Sequence, residues 1–265
     1  MSNTNQGYKY SISTSINKRY KFGLDLYAAY THGASFDITN GIRNSMESNW
    51  QLNQSLTPNN PGIANSNFDI RSRFVSQLTY KIKLSQFSLL FNSQSGSPFS
   101  WGLINTSIDN TPQAISLVYI FKDITEAKKY IPNSTQAQAF MDYVNNDEYL
   151  SSRKGNFTER NKGRTPWSTT ADFKFVQTFK FHKKEIQLSL DILNLTNLIN
   201  KEWGNIYFVP NTFNSTSNIG LALLARPTNP SLDPTFTFTT PTSTPYTIDQ
   251  LASNWQMQIG IRYSF

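Results

Sequence analysis

His32 and His182 are the only histidines in this chain of 265 residues, and there is no cysteine. General-base or nucleophilic chemistry needs a histidine within reach of a serine or carboxylate and oriented by a third group. Both histidines fall at the ends of alternating segments, without neighbours that suggest a triad. Two distant histidines make no metal cluster, and Asp142, Asp147 and Glu148 fall on or beside an expected loop helix where solvent exposure is the default. Glycines are scattered and none precedes Lys-Ser or Lys-Thr, so no phosphate loop is expected. Without cysteine, disulfides and thiolate metal sites are ruled out. The residues predict neither an enzyme nor a cofactor.

Binding chemistry remains. Trp50, Trp101, Arg164, Trp167, Trp203 and Tyr207 lie in long polar connections. Loops carry recognition, and aromatic and arginine side chains anchor interfaces, so these six are ligand-contact candidates. The plainer reading is that they pack the loops together or form an aromatic girdle. Lys174, Asp191 and Arg262 stand on the polar faces of alternating segments, where they either make charged contacts or are simply hydrated. The net charge of +7 does not point to nucleic acid. Basic residues gather at short connections (Lys18, Arg19; Lys81, Lys83; Lys180, Lys183, Lys184), and between Lys122 and Arg164 eight of them face six acidic ones.

The elements that position these residues are read from periodicity. In the last stretch Trp255, Met257, Ile259, Ile261, Tyr263 and Phe265 alternate without a break against Gln256, Gln258, Gly260, Arg262 and Ser264. Period two means a strand with two unlike faces. Aromatics at both ends of the apolar face, with aliphatics between, suit a transmembrane β-strand crossing headgroup, hydrocarbon and headgroup. The same alternation marks strands near 8–17, 20–31, 68–82, 85–95, 169–181 and 185–196, with Gln177 interrupting one apolar face. Connections alternate short and long, the long ones being 32–66, 97–167 and 197–253. In 97–167 a single helix is expected, with Ser134 as N-cap and Ala137, Phe140, Met141 and Val144 at i, i+3, i+4, i+7.

The expected fold is therefore all-β, an antiparallel transmembrane β-barrel segment with short periplasmic turns and three long extracellular loops. No apolar run approaches the roughly 20 residues of a spanning helix. Seven antiparallel strands put the first and last parallel, whereas single-chain bacterial barrels close with even numbers. The chain thus reads as the C-terminal part of a larger barrel, and its first residues carry no leader pattern.

Five motifs extend this reading: Asn67 to Arg73 (NFDIRSR), Ser93 to Ser100 (SQSGSPFS), Arg160 to Trp167 (RNKGRTPW), Asp191 to Asn197 (DILNLTN) and Gly260 to Phe265 (GIRYSF). In order and spacing they resemble the C-terminal barrel region of TonB-dependent outer-membrane receptors, closest to the Oar-like branch. The resemblance implies a barrel of roughly 22 strands plugged by an N-terminal domain, with these as its last seven. It implies a receptor or transporter for an unidentified ligand in the bacterial outer membrane. The implied partners are outer-membrane lipid, the remaining strands and plug, TonB through the plug, the barrel assembly machinery and a surface lipoprotein. Lys174, Asp191 and Arg262 would then seat the plug. Met257, Ile259, Ile261, Tyr263 and Phe265 resemble the C-terminal signal read by the assembly machinery.

Two other classes compete. One is a structural or partner-binding barrel subunit or adhesin without transport. The other is a soluble β-sandwich, disfavoured because sandwiches rarely alternate short and long loops so strictly.

Overall fold

The computed structural model describes residues 4–39, 52–57, 59–104, 115–182, 184–210, 216–225 and 233–265. Seven long strands carry the alternating segments: β1 (Tyr8–Arg19), β2 (Leu24–Asp37), β3 (Ser72–Ile82), β4 (Ser85–Gln94), β5 (Ser168–Phe181), β6 (Lys184–Leu193) and β7 (Gln256–Ser264). Each pairs antiparallel with its neighbour in sequence. Register follows side-chain parity. Leu24, Tyr80, Phe87, Phe175, Leu190 and Ile259 form one apolar row across six strands, and the rings of Phe87 and Phe175 lie 4.9 Å apart. One residue along, the row is polar: Arg19, Asp25, Thr79, Ser88, Lys174, Asp191, Gln258. Slipping any strand by one residue would exchange the two faces, so the register is strongly specified.

Gln177 stands on the apolar face without an orphaned amide. Ser85 Oγ donates to its Oε1 at 2.6 Å, and its Nε2 donates to the Thr178 carbonyl at 3.0 Å. Strands β3 and β4 are joined by a two-residue turn with Lys83 at φ 53°, and β5 and β6 by another with His182 at φ 55°. Both are at positive φ, the backbone that matches the twist of a tight hairpin. Strand β2 runs past the expected end at residue 31 because it stays paired with β1 as far as Tyr8 opposite Phe36. The alternation expected from residue 68 starts as a strand only at Ser72, because 68–71 is folded into a turn around Asp69.

The sheet is open. β1 and β7 each have one long-strand neighbour, and six antiparallel steps leave them pointing the same way. Its apolar face is mostly exposed, with Ile12 at 73% and Ile259 at 74%, and lies outside the main core cluster.

The buried core lies in the connections instead. Phe99, Trp101, Leu103, Val118, Ile120, Phe121, Phe140, Val144, Ile219, Leu221, Phe236 and Phe238 pack as one cluster, drawn from two segments expected to be loops. Pro98–Ile104 pairs with Gly163–Arg164 and Ile115–Leu117, and runs parallel to Thr216–Asn218. Helices α1 (Ile124–Tyr130), α2 (Ser134–Asn145) and α3 (Glu148–Ser152) cover this small sheet system. Ala137, Phe140, Met141 and Val144 of α2 are all buried, as their spacing predicts. The cap is Asn133 rather than Ser134: its side chain accepts from the Thr135 and Gln136 N–H groups, leaving Ser134 as the first helical residue. The Phe140 ring sits 5.2 Å from Phe121 and 5.4 Å from Phe238, joining the second connection to the third.

Candidate binding surfaces around the loop body

Three polar or aromatic assemblies stand on the sheet and beside this loop body. The first is the polar face of the sheet. Arg19 Nε donates to Asp25 at 2.9 Å, Thr79 and Ser88 share a hydrogen bond at 3.2 Å, and Lys174 Nζ donates to Asp191 at 2.7 Å. Lys174 and Asp191 therefore meet directly. Arg262 stands opposite Gln187 and joins no ion pair among the described residues. With Lys174 about half exposed, the pair is worth at most roughly 1 kcal/mol to the fold. Its consequence is a charged, hydratable wall.

The second assembly is a buried polar brace between the first two long connections and the sheet. The Asp69 carboxylate has no exposed surface and takes Arg164, Arg71 at 2.8 Å, the Asn65 amide at 3.0 Å and the Ser35 N–H at 2.9 Å. Burial alone would raise its pKa. The hydrogen bonds from Arg164 and Ser35, with the charges of Arg164 and Arg71, outweigh it and hold the carboxyl below its ordinary value. Arg160 is buried beside it and reaches Asp37 at 2.9 Å and the Ile38 carbonyl at 2.6 Å. Asn161 takes positive φ, accepts from Ser100 Oγ and donates to the Asn65 carbonyl at 2.7 Å. Gly96 lets the chain pass against Thr165, where an added Cβ would lie 1.7 Å from the Thr165 carbonyl oxygen.

Arg164 is thus a structural brace here, with its guanidinium directed to Asp69 rather than to solvent. Trp101, also expected at a ligand surface, is 3% exposed and packs edge-on against Phe99 and Tyr143. It is a core residue, because Pro98–Ile104 is a central strand of the loop body and its side chain faces the helices. Trp50 lies outside the described residues.

The third assembly gathers the remaining three candidates. Trp167, Trp203 and Tyr207 line one cleft of about 290 Å³ with Thr169, Thr196, Glu202, Gly204 and Asn205. Its shape depends on Asn194, which takes positive φ at the end of β6 and donates to the carbonyls of Gly204 at 2.9 Å and Ser253 at 2.6 Å. Asn197 donates to the carbonyls of Lys201 and Trp203. Sequence reasoning singled out the motif from Asp191 to Asn197 but gave Asn194 no role. An asparagine followed by Leu-Thr-Asn, closing an alternating run, was the available signal for a left-handed turn.

On β7 the apolar row Met257, Ile259, Ile261, Tyr263 points outward, and Phe265 is 97% exposed beyond its end. Among the described residues no group of three histidine, cysteine or carboxylate side chains is placed to hold a metal ion.

Comparison with known families gives a match over residues 1–230 to the family described as Outer membrane beta barrel domain. No curated protein matches the chain significantly. The match covers all but the last of the long strands, and the two unlike faces of the sheet supply what a barrel wall requires: apolar toward lipid, polar toward the inside. The chain belongs to the outer-membrane β-barrel domain family, whose place is the bacterial outer membrane.

Proposed function

We propose that the chain forms the last seven strands of a TonB-dependent receptor of the Oar-like branch, a wall of a large plugged barrel that takes up or binds a solute. The observation that carries this reading is the pair of free edges. β1 and β7 run in the same direction, so they cannot close on each other as antiparallel neighbours. In lipid, unpaired strand edges are not tolerated, which supports a sheet completed by further strands. A polar face lined by Arg19, Asp25, Lys174 and Asp191 fits a wide wet interior or the side of a plug. In this reading Lys174, Asp191 and Arg262 face the plug, TonB acts through that plug, and the loop body stands over the outer mouth, where a surface lipoprotein would meet it.

The test is made in cells carrying the whole reading frame. The receptor reading expects a plug to co-purify with the barrel and solute uptake to stop when TonB is deleted. A barrel that inserts without a plug, with uptake or adhesion indifferent to TonB, would replace it by the structural-subunit reading.

A further inference from the structure

We propose that the cleft bounded by Trp167, Trp203 and Tyr207 binds a neutral pyranose saccharide. This goes beyond the receptor reading: Thr169 shares the face of Ala171, Phe173 and Phe175, so the cleft opens beside the apolar face of the sheet rather than on its polar face. At about 290 Å³ it is near the lower bound for ligand clefts, sized for a ring-like group rather than a large solute.

Its chemistry selects the ligand. Trp167 and Trp203 are both 54% exposed, so large aromatic surfaces are presented to a ligand rather than spent in the core. The Tyr207 ring is held edge-on by Tyr246, with centroids 5.6 Å apart. The polar groups include acceptors beside the indole and hydroxyl donors. The Glu202 carboxylate enters no ion pair among the described residues, and Asn205 uses its amide N–H on the Glu202 carbonyl at 3.0 Å, which leaves its side-chain oxygen to accept. Among the described residues no lysine or arginine lines the cleft, so an anionic ligand would meet no cation there. Aromatic faces combined with acceptors suit a pyranose, whose C–H face stacks on a ring while its hydroxyls donate outward. The walls are preformed by Asn194 and Asn197, so little ordering cost falls on binding.

The sugar could belong to a free oligosaccharide or to a glycolipid headgroup at the membrane rim, and the experiment separates the two. The protein expressed from the whole reading frame is held in a polyoxyethylene detergent, free of sugar headgroups, and tryptophan emission is titrated with cellopentaose and maltopentaose. A parallel titration uses nanodiscs containing a glucosylated lipid. We expect a saturable change, weakened about tenfold by Trp203→Ala and partly retained by Trp203→Phe. A response to free pentasaccharide assigns a soluble ligand, and a response to the glucosylated lipid alone assigns a headgroup. The proposal is overturned if neither probe gives a saturable change, if Trp203→Phe and Trp203→Ala leave the response as it was, or if tetramethylammonium alone produces it. Far-UV circular dichroism of each variant reports whether the fold is retained, and uptake is not measured, so failure of the receptor reading would leave the result standing.

Discussion

Asp69 and Arg164, ninety-five positions apart, meet in an ion pair, its carboxylate buried and its guanidinium partly exposed, that fastens the second long connection to the turn before β3. Arg71 and Asn65 complete the carboxylate's shell, so removing it strands two guanidiniums at once. Deleting one partner of a fully buried pair typically costs about 3 kcal/mol or more, and with both guanidiniums partly exposed the loss here is smaller. Asp69→Ala should therefore increase hydrogen exchange across 158–165 strongly, and adding Arg164→Met should recover part of the loss. Unchanged exchange in Asp69→Ala would show that the brace is decorative.

The same carboxylate sets an acid limit. Its folded pKa lies below the ordinary value of 3.8, so its stabilisation is complete above that value and is lost as pH falls through the lower, folded one. The loop body should stay protected at pH 5 and open only in stronger acid. In Asp69→Asn this acid step should be missing from the exchange profile.

An alkaline limit comes from Tyr143 and Tyr149, whose hydroxyls are pushed up to about 12, chiefly by burial. A raised folded value means that their contribution is fully present below the unfolded value of 10 and disappears as pH climbs through about 12. Ultraviolet absorbance titration should show the Tyr143 and Tyr149 phenols ionising late, with loosening of the loop body over the same interval. Tyr143→Phe should delete one late step; a titration in which every tyrosine ionises together near 10 would contradict the packing around α2 and α3.

How far this could be read beforehand differs between the two halves of the molecule. The rows through Phe175 and Lys174 need only period-two alternation, a local signal, so all seven long strands were legible. The loop body was not. Its strands, such as Gly163–Arg164, are too short to show a period, and its core forms only when Phe121, Phe140 and Phe238 arrive from distant segments. Helix α2 was legible because four buried residues on one face repeat locally. Trp101 and Arg164 misled for a related reason: aromatic and arginine side chains signal interfaces and cores alike, and only the fold shows which. The cleft of Trp167, Trp203 and Tyr207 depends on the turn at Asn194, whose left-handed backbone is a property of the folded chain.

That turn can be tested at Gly204. Its φ of 69° is already costly for an L-residue, and an added Cβ would lie 2.1 Å from the Asn194 side-chain oxygen. Gly204→Ala should cost roughly 1–3 kcal/mol locally and change the emission of Trp203, while the melting of the sheet stays the same. An unaltered Trp203 environment would mean that Asn194 does not set the cleft wall.

Phe265 offers the last test, at the far end of β7. Its ring is 97% exposed and lies 5.8 Å from Tyr263, so within this sheet it has almost no packing to lose. The next apolar positions inward, Ile261 and Ile259, are also outward-facing and exposed. If Phe265 only anchored the strand at the interface, Tyr in its place would serve equally well and deletion would cost little beyond one aromatic contact. A terminal aromatic that is recognised during barrel assembly makes a different demand, because recognition is lost with the residue while the folded barrel is hardly weakened. On the assembly-signal reading, deleting Phe265 should lower the amount of folded protein reaching the outer membrane far more than Phe265→Tyr does. Barrels that do assemble should melt within a few degrees of the parent. Equal yields from the two variants would reduce Phe265 to an interfacial anchor, and a large drop in melting temperature on deletion would place its contribution in the fold instead.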